Sequence, residues 1–157
     1  GVAGAYKWAD VSLEDVCLAT SESYGDLGRQ GPSGIEPISL EGDEAQTEFP
    51  LEPGWRRIIK PDLLKDLDLR YGPMVTASCV TGTKERAWDL HKRFQAVAEN
   101  MEGAAAAQAC NYYQIPLFEL RGISNWVADI DKKNWRLELA MNATAKVVEK
   151  VLGILSD

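Results

Sequence analysis

The 157-residue sequence is poor in the residues from which metal and nucleophilic centres are built. It contains one histidine, His91, and three cysteines, Cys17, Cys79 and Cys110, which lie far apart. A single histidine excludes multi-histidine metal sites, and separated cysteines in apolar surroundings favour buried, reduced thiols over a disulfide framework. His91 stands in a polar run that is typical of a solvated helix face. We therefore predict no metal, no cofactor and no serine–histidine or cysteine–histidine centre.

Basic residues and long apolar runs are also scarce. The 17 Lys and Arg residues are outnumbered by 24 Asp and Glu residues, and the net charge of −7 argues against nucleic acid as a partner. We find no run that is long and apolar enough to predict a membrane span. The hydrophobic fraction of 45% is that of an ordinary globular domain with a real core. We expect a cytoplasmic protein without a membrane partner.

Apolar strands alternate with helical patterns along the chain, which predicts an α/β fold with a mostly parallel or mixed sheet. Residues 28–55 show no sustained period and are predicted as a loop, and Pro61 is predicted near the start of a short helix. Strands are predicted at 16–20, 72–80 and 115–125, and helices at 83–94, 98–113 and 134–155. The last helix is predicted to bury one stripe, formed by Leu137, Met141, Val148, Val151 and Leu155.

Two carboxylates, Glu99 and Glu102, stand where a predicted strand gives way to a small-residue helix. In open α/β sheets, ligands bind where the carboxyl ends of strands meet helix N-termini. A carboxylate at a helix start can equally serve only to complement the helix dipole, and we favour such a structural role for Glu99. A second strand ends at Ser124 and Asn125. The residues alone thus predict a small-molecule pocket with a carboxylate and an amide.

Two sequence blocks, AENMEGAA at 98–105 and LRGISN at 120–125, resemble the signature pair of the nucleoside phosphorylase and nucleosidase superfamily. Within it the chain is similar to the futalosine hydrolases, and the segments at 1–5, 23–28 and 75–83 support that choice. The resemblance covers the whole chain. It implies one domain over residues 1–157, a three-layer α/β/α fold with a central mixed sheet, a purine nucleoside as substrate, and a homodimer.

The resemblance also assigns roles to the matching residues. The two predicted catalytic residues are Glu102, which would hold the ribose hydroxyls and stabilise an oxocarbenium-like sugar, and Asn125, which would bind the base. Arg121 and Ser124 are predicted to support them from behind, Arg121 by pairing with a nearby carboxylate. Further predicted substrate contacts are Ala3, Gly4, Val80, Thr81, Asn100 and Met101, although Met101 could equally be core filler. Trp126 could cap the pocket or pack at the surface.

The amide of Asn125 predicts the type of base. Adenosine-type nucleosidases of the superfamily have an aspartate at this position, whereas an amide offers two donors, which suit N7 and a 6-oxo group together. A 6-amino group would face a donor, and such a buried mismatch costs about 1–3 kcal/mol. The prediction is hydrolysis of futalosine with release of hypoxanthine, in the futalosine route of menaquinone biosynthesis. A strand-end asparagine can also be a simple turn former.

Chains of this family begin well before the residue that matches Gly1, and their first strands supply the carboxylate that activates water. We therefore expect a domain that is incomplete at its N-terminus and does not, by itself, hydrolyse nucleosides at a useful rate. The alternatives are a purine nucleoside phosphorylase, an adenosine-type nucleosidase of the same fold, and a nucleoside-binding chain without turnover.

Overall fold

The computed structural model describes residues 1–32, 34–36, 39–40, 43–44 and 46–156. Two 3-10 helices cover Pro61–Leu67 and Lys132–Asn134. The α-helices are α1 (Glu52–Trp55), α2 (Lys84–Phe94), α3 (Gly103–Tyr112) and α4 (Leu137–Ser156). The strands are β1 (Val2–Ala5), β2 (Val16–Tyr24), β3 (Arg29–Gly31), β4 (Gly34–Glu36), β5 (Ser39–Leu40), β6 (Asp43–Glu44), β7 (Glu48–Pro50), β8 (Leu69–Thr76), β9 (Ala98–Asn100) and β10 (Leu120–Trp126).

Six of the strands form one mixed sheet in the order β10-β1-β9-β8-β2-β7. The pairs β1–β10, β2–β8 and β8–β9 are parallel, whereas β1–β9, β2–β7 and β2–β10 are antiparallel. Because β10 also pairs with the start of β2, five strands close into a ring, and β7 extends the sheet beside the second half of β2. The predicted α/β fold with a central mixed sheet is confirmed.

The bounds of the helices and strands agree with the sequence prediction for α2 and differ from it elsewhere. Helix α2 begins at Lys84 because the Thr83 side chain accepts the backbone N–H of Arg86, a standard N-cap. It buries Ala87 and Leu90. The segment 28–55, predicted as a loop, contains short strands and α1 among its described residues. The predicted strand ending near 98 instead begins there, as β9.

The predicted buried stripe of α4 is largely wrong. Leu137, Met141, Val148 and Leu155 are exposed, and the buried residues of this helix are Ala140, Thr144, Val147 and Val151. The physical reason is the close approach of α4 to β10, where a methyl group at Gly122 would overlap the backbone of Ala140. Such contact requires small side chains, which a pattern of large apolar residues does not reveal.

The cysteines and the histidine differ from expectation as well. Cys17 is buried, and burial raises the pKa of its thiol to about 12, but Cys79 is exposed and Cys110 is half-buried. His91 is not on a solvated face, because its Nδ1 lies 2.8 Å from the carbonyl oxygen of Ala96 and its ring packs between aromatic side chains. No helix among the described residues has the length and apolarity needed to cross a membrane.

Candidate functional site

A cavity of about 360 Å³ lies along strand β1. Its wall contains all ten predicted site residues: Ala3, Gly4, Val80, Thr81, Asn100, Met101, Glu102, Arg121, Ser124 and Asn125. The fold therefore brings together side chains that are up to 122 positions apart in the sequence. Their contacts with a ligand stay predictions. Some of these side chains have hydrogen-bonding groups free for a ligand, and others use theirs within the protein.

Strand β1 runs through the middle of the site and sets its two ends. Gly4 is paired with Glu99 of β9 on one side and with Asn125 of β10 on the other. Because β9 runs antiparallel to β1, the residues that follow β9 return toward Gly1, and Glu102 therefore lies at that end. The predicted carboxylate and amide thus occupy opposite ends of one cavity, which is suitable for an elongated ligand.

Gly4 lies at the crowded end of the cavity, beside Asn125. An added Cβ would lie 3.0 Å from Asn125 Nδ2 and 3.2 Å from Val127 Cγ2. Both distances are tighter than ordinary van der Waals contact, so a side chain here would displace the amide. Packing against Asn125 therefore explains the glycine at position 4.

The amide of Asn125 is oriented by its neighbours. Ser124 Oγ donates to Asn125 Oδ1 at 2.8 Å, and Asn125 Nδ2 donates to the carbonyl oxygen of Trp126 at 3.1 Å. The amide therefore turns its nitrogen away from Ser124, and one of its two hydrogens is already used. One amide hydrogen therefore remains for a ligand, and not the two predicted from the sequence.

Two ion pairs through Arg121 connect Glu102 to Glu119. Arg121 Nη1 donates to Glu102 Oε2 at 2.9 Å, and Arg121 Nε donates to Glu119 Oε1 at 2.8 Å. Burial of Arg121 opposes its charged form, but the carboxylates of Glu119 and Glu102 outweigh burial and raise its pKa. The Glu102 side chain is 70% exposed, so its remaining oxygen is accessible to a ligand. The predicted pairing of Arg121 with a carboxylate is present.

The start of α3 is capped by side chains at the ends of β9 and β8. Glu102 occupies the N-cap position of this helix, but its side chain makes no capping hydrogen bond. Asn100 Oδ1 accepts the backbone N–H groups of Glu102 and Gly103, at 3.0 and 2.7 Å. Thr76 Oγ1 accepts the N–H of Ala104 at 2.7 Å. This arrangement leaves the Glu102 carboxylate available, but it occupies the Asn100 side chain, which was predicted to contact substrate.

Two more carboxyl groups lie beneath this helix start. Glu22 is fully buried and Glu119 is 7% exposed, and a methyl group at Gly103 would overlap an oxygen of each. Burial, and then the neighbouring Glu119, raise the pKa of Glu22 to about 8. Neither residue was predicted from the sequence, because neither stands in a block that carries the resemblance.

Glu99 supports the loop that forms the opposite wall. Its Oε1 accepts the backbone N–H of Thr81 at 3.0 Å, and its Oε2 accepts hydroxyl hydrogens from Thr81 at 2.7 Å and Tyr6 at 3.0 Å. Burial, followed by the charge of Glu99, raises the pKa of the Tyr6 phenol. These contacts agree with the structural role favoured for Glu99, and they also occupy the side chain of Thr81.

The same loop is fastened at its start by Asp26. The backbone N–H groups of Ser78 and Cys79 donate to this carboxylate at 2.9 and 3.1 Å, and Arg86 adds a contact at 3.2 Å. Burial opposes ionisation of Asp26, but these hydrogen bonds and the Arg86 charge lower its pKa. The loop is thereby fixed with Val80, 56% exposed, at the cavity.

The aromatic side chain of the site is Trp135 and not Trp126. Trp135 lines the cavity, and its Nε1 donates to the carbonyl oxygen of Asp129 at 2.9 Å, whereas Trp126 packs against the core. Within the described ranges, no group of three His, Cys, Asp or Glu side chains could hold a metal ion. No sequence signal separated these two tryptophans, since the choice depends on how the chain turns after β10.

Comparison with known proteins defines the class of this site. The family model of the phosphorylase superfamily matches residues 1–157, and the chain belongs to that superfamily. It is 36% identical over 156 residues to futalosine hydrolase of Thermus thermophilus, covering 98% of this chain and 67% of the relative. It is 31% identical to futalosine hydrolase of Streptomyces coelicolor, covering 100% and 65%.

A solved structure shows the same fold. The native structure of futalosine hydrolase of Helicobacter pylori matches with a TM-score of 0.80 and 21% identity, over 99% of this chain and 66% of that one. The chain thus spans about two thirds of the length of these relatives. The resemblance identified from the sequence blocks is confirmed.

Proposed function

We propose that this site serves the hydrolysis of the N-glycosidic bond of a 6-oxopurine nucleoside, and that the nucleoside is futalosine. Release of hypoxanthine from futalosine would place the protein in the futalosine route of menaquinone biosynthesis. Similarity to relatives named futalosine hydrolase supports the reaction class. The observation that carries the proposal is the fixed orientation of the Asn125 amide.

At the base end, the orientation of the amide selects against a 6-amino group. The carbonyl oxygen of Trp126 can only accept, so it fixes the position of Asn125 Nδ2, and the Ser124 hydroxyl lies on Oδ1. The group available to the ligand is therefore an N–H donor. N7 and O6 of hypoxanthine are acceptors, and either can take this hydrogen. Adenine offers this hydrogen one acceptor, N7, and its 6-amino group then lies beside an amide whose oxygen is already held by Ser124. A buried amino group left without an acceptor costs about 1–3 kcal/mol. Trp135 offers an aromatic face nearby.

At the ribose end, the exposed oxygen of Glu102 can accept hydrogen bonds from sugar hydroxyls. A charged acceptor is roughly twice as strong as a neutral one. Its negative charge also stabilises the oxocarbenium-like sugar as the base departs. Arg121 keeps the carboxylate in place, and Met101, 52% exposed, lies at the same end.

The reaction breaks the bond between C1′ and N9 and forms a bond from C1′ to the oxygen of water. The electron pair of the broken bond goes to the purine, which takes up a proton. The neutral amide of Asn125 assists by hydrogen bonding to the leaving base and does not donate that proton. Each of the other two cavity carboxylates is engaged, Glu99 with Thr81 and Asp129 with Asn134, so Glu102 is the cavity carboxylate assigned to the sugar.

A phosphorylase is the less favoured alternative. Phosphorolysis needs cationic groups that bind phosphate, and the single arginine of the described cavity wall, Arg121, already pairs with two carboxylates. Its guanidinium is therefore largely neutralised toward a further anion.

A homodimer, with the exposed apolar residues of α4 as one candidate surface, is part of the proposal and is tested by sedimentation.

The test compares bases directly. We expect calorimetry on this chain to show tighter binding of inosine and futalosine than of adenosine. Chromatography should show phosphate-independent release of hypoxanthine when the chain is joined to the first strands of the family. Asn125→Asp should move the preference toward adenosine by about tenfold, because an acidic side chain beside the Trp126 carbonyl retains a proton and also offers an acceptor. Asn142→Asp, on the exposed face of α4, is the matched control.

Three results would contradict the proposal in different ways. An unchanged base preference in Asn125→Asp would refute the role of the amide. Hypoxanthine release that requires phosphate would favour the phosphorylase. Tight nucleoside binding without any base release, in a chain that also carries the first strands of the family, would favour a binding protein over a hydrolase.

A further inference from the structure

The buried carboxyl groups Glu22 and Glu119 lie behind the cavity and are not used by the chemistry proposed above. They face each other across Gly103, at the start of the helix that follows Glu102. Among the residues that the structure describes, Glu119 has a cation partner, since Arg121 Nε donates to its Oε1, and Glu22 has none. Glu22 is surrounded by the neutral side chains of Thr76 and Asn100. The two carboxyl groups therefore have opposite environments.

Counting protons in this cluster shows which form Glu22 takes. Asn100 Nδ2 donates to Glu22 Oε1, so that oxygen is an acceptor. The other oxygen, Glu22 Oε2, lies 2.9 Å from Thr76 Oγ1, and Thr76 Oγ1 lies 3.1 Å from Asn100 Oδ1. Asn100 Oδ1 cannot donate, because it is an oxygen that accepts two backbone N–H groups.

The hydroxyl of Thr76 has one hydrogen for two acceptors. If Glu22 were ionised, either its Oε2 or Asn100 Oδ1 would face the Thr76 oxygen without a hydrogen between them. If Glu22 carries a proton on Oε2, it donates to Thr76, and Thr76 donates to Asn100. Thr76 Oγ1 then also accepts the N–H of Ala104. Every contact in the cluster has a hydrogen only in this second arrangement.

We propose that Glu22 is a positioning residue that carries a proton and is neutral. Through Thr76 and Asn100 it fixes the start of α3, while ionised Glu119 holds Arg121. Together these contacts direct the Glu102 carboxylate at the sugar. This role rests on the proposed function of Glu102. Two adjacent carboxyl groups then contribute in different protonation states, one as a hydrogen-bond donor and the other as a counter-ion.

The charges around Glu22 agree with this assignment. The charged groups that face it are Glu119, before β10, and Arg121, on β10. Strands β8 and β9 and helix α3 present Thr76, Asn100 and the backbone of Gly103 to it. Burial and the nearby Glu119 outweigh the hydrogen bonds and the more distant Arg121, and the pKa of Glu22 is raised to about 8. The acid is therefore protonated at neutral pH.

The experiment replaces each carboxyl group by its amide. Glu22→Gln preserves an acceptor for Asn100 and a donor for Thr76, so inosine affinity at neutral pH should stay within about twofold. Glu119→Gln removes the counter-ion of Arg121 and should weaken inosine binding by about tenfold or more. Equal effects of the two substitutions would overturn the proposal, as would a larger loss in Glu22→Gln.

The pH dependence supplies a readout that a merely structural role would not change. Inosine affinity of the parent chain should fall relative to that of Glu22→Gln as pH rises through about 8. Ionisation of inosine itself affects both chains equally, so their ratio isolates Glu22. A ratio that does not change with pH would refute the proton on Glu22.

Thermal unfolding tests the proton without any ligand. The folded state holds this proton up to about pH 8, whereas the unfolded chain loses it at the ordinary glutamate pKa of 4.5. The parent should therefore lose stability relative to Glu22→Gln between about pH 5 and about pH 8, with a constant difference above that range. Failure of the parent to bind inosine would refute the proposed function, while this unfolding profile would still decide the protonation state of Glu22.

Discussion

Replacement of Glu99 by glutamine is the sharpest test of the interpretation that a cavity carboxylate can be structural. Glu99 is 9% exposed and accepts three hydrogen bonds, from the Thr81 backbone, the Thr81 hydroxyl and the Tyr6 hydroxyl. The amide oxygen of glutamine must remain on the Thr81 N–H, since a backbone donor cannot reverse its polarity. The new NH₂ group then replaces the oxygen that served both hydroxyls.

The cost follows from those two hydroxyls. Both can turn to accept from the NH₂ group, but their own hydrogens then lose a charged acceptor. A hydrogen bond to a charged group contributes about 1.5–3 kcal/mol, against about 0.5–1.5 kcal/mol for a neutral pair. The net loss should be about 2–4 kcal/mol in the free energy of unfolding, which for a chain of this size lowers Tm by about 5–15 °C.

Urea and thermal denaturation followed by circular dichroism measure this loss. Tyr6→Phe is the matched control, because it removes one donor and keeps the carboxylate, and it should cost about 1–2 kcal/mol. Since Tyr6 and Glu99 are in contact, the double variant should lose less than the sum of the single losses. Unchanged stability in Glu99→Gln would refute the reasoning. Lost nucleoside affinity at full stability would assign Glu99 to ligand binding instead.

Two further substitutions test how the site is held. Arg121→Met leaves buried Glu119 without its cation and should cost about 3–5 kcal/mol of stability, together with weaker nucleoside binding; intact denaturation and calorimetry profiles would contradict this. Gly103→Ala places a methyl group against two buried carboxyl groups and should cost about 1–3 kcal/mol in the same denaturation assay. Its control, Gly153→Ala, has open space around it and should be neutral or stabilising by up to about 1 kcal/mol, so equal effects at 103 and 153 would rule out the overlap.

Apolar spacing located α2 best: the helix predicted at 83–94 is observed at Lys84–Phe94, and Ala87 and Leu90 of that spacing are buried. Helix α4 had strong apolar content but no comparable signal for which side faces inward, and the larger side chains proved to be exposed. The decisive contact was made by Gly122 on a strand, whose position relative to α4 is a tertiary property.

For the site, sequence blocks identified the residues but not their hydrogen-bond partners. Asn100 was predicted to touch substrate because it stands in the right block, yet its oxygen and nitrogen are both used inside the protein. Trp135 was missed because nothing local marks it. Glu22 and Glu119 belong to segments without a signature, and their importance comes from meeting at Gly103.

The hydrogen-bond partners of the cavity side chains also limit which ligand the cavity can bind. Thr81, Asn100 and Glu99 are held by protein contacts, so the cavity's remaining capacity lies mainly at Glu102 and Asn125. The first offers an acceptor at the Gly1 end of β1, and the second offers a donor at the Gly4 end. A ligand that satisfies both must carry hydroxyl donors at one end and an acceptor at the other. A 6-oxopurine nucleoside meets this condition through its ribose and its base, which has two acceptors, N7 and O6. Adenine offers the donor only N7 and leaves its amino group without a partner.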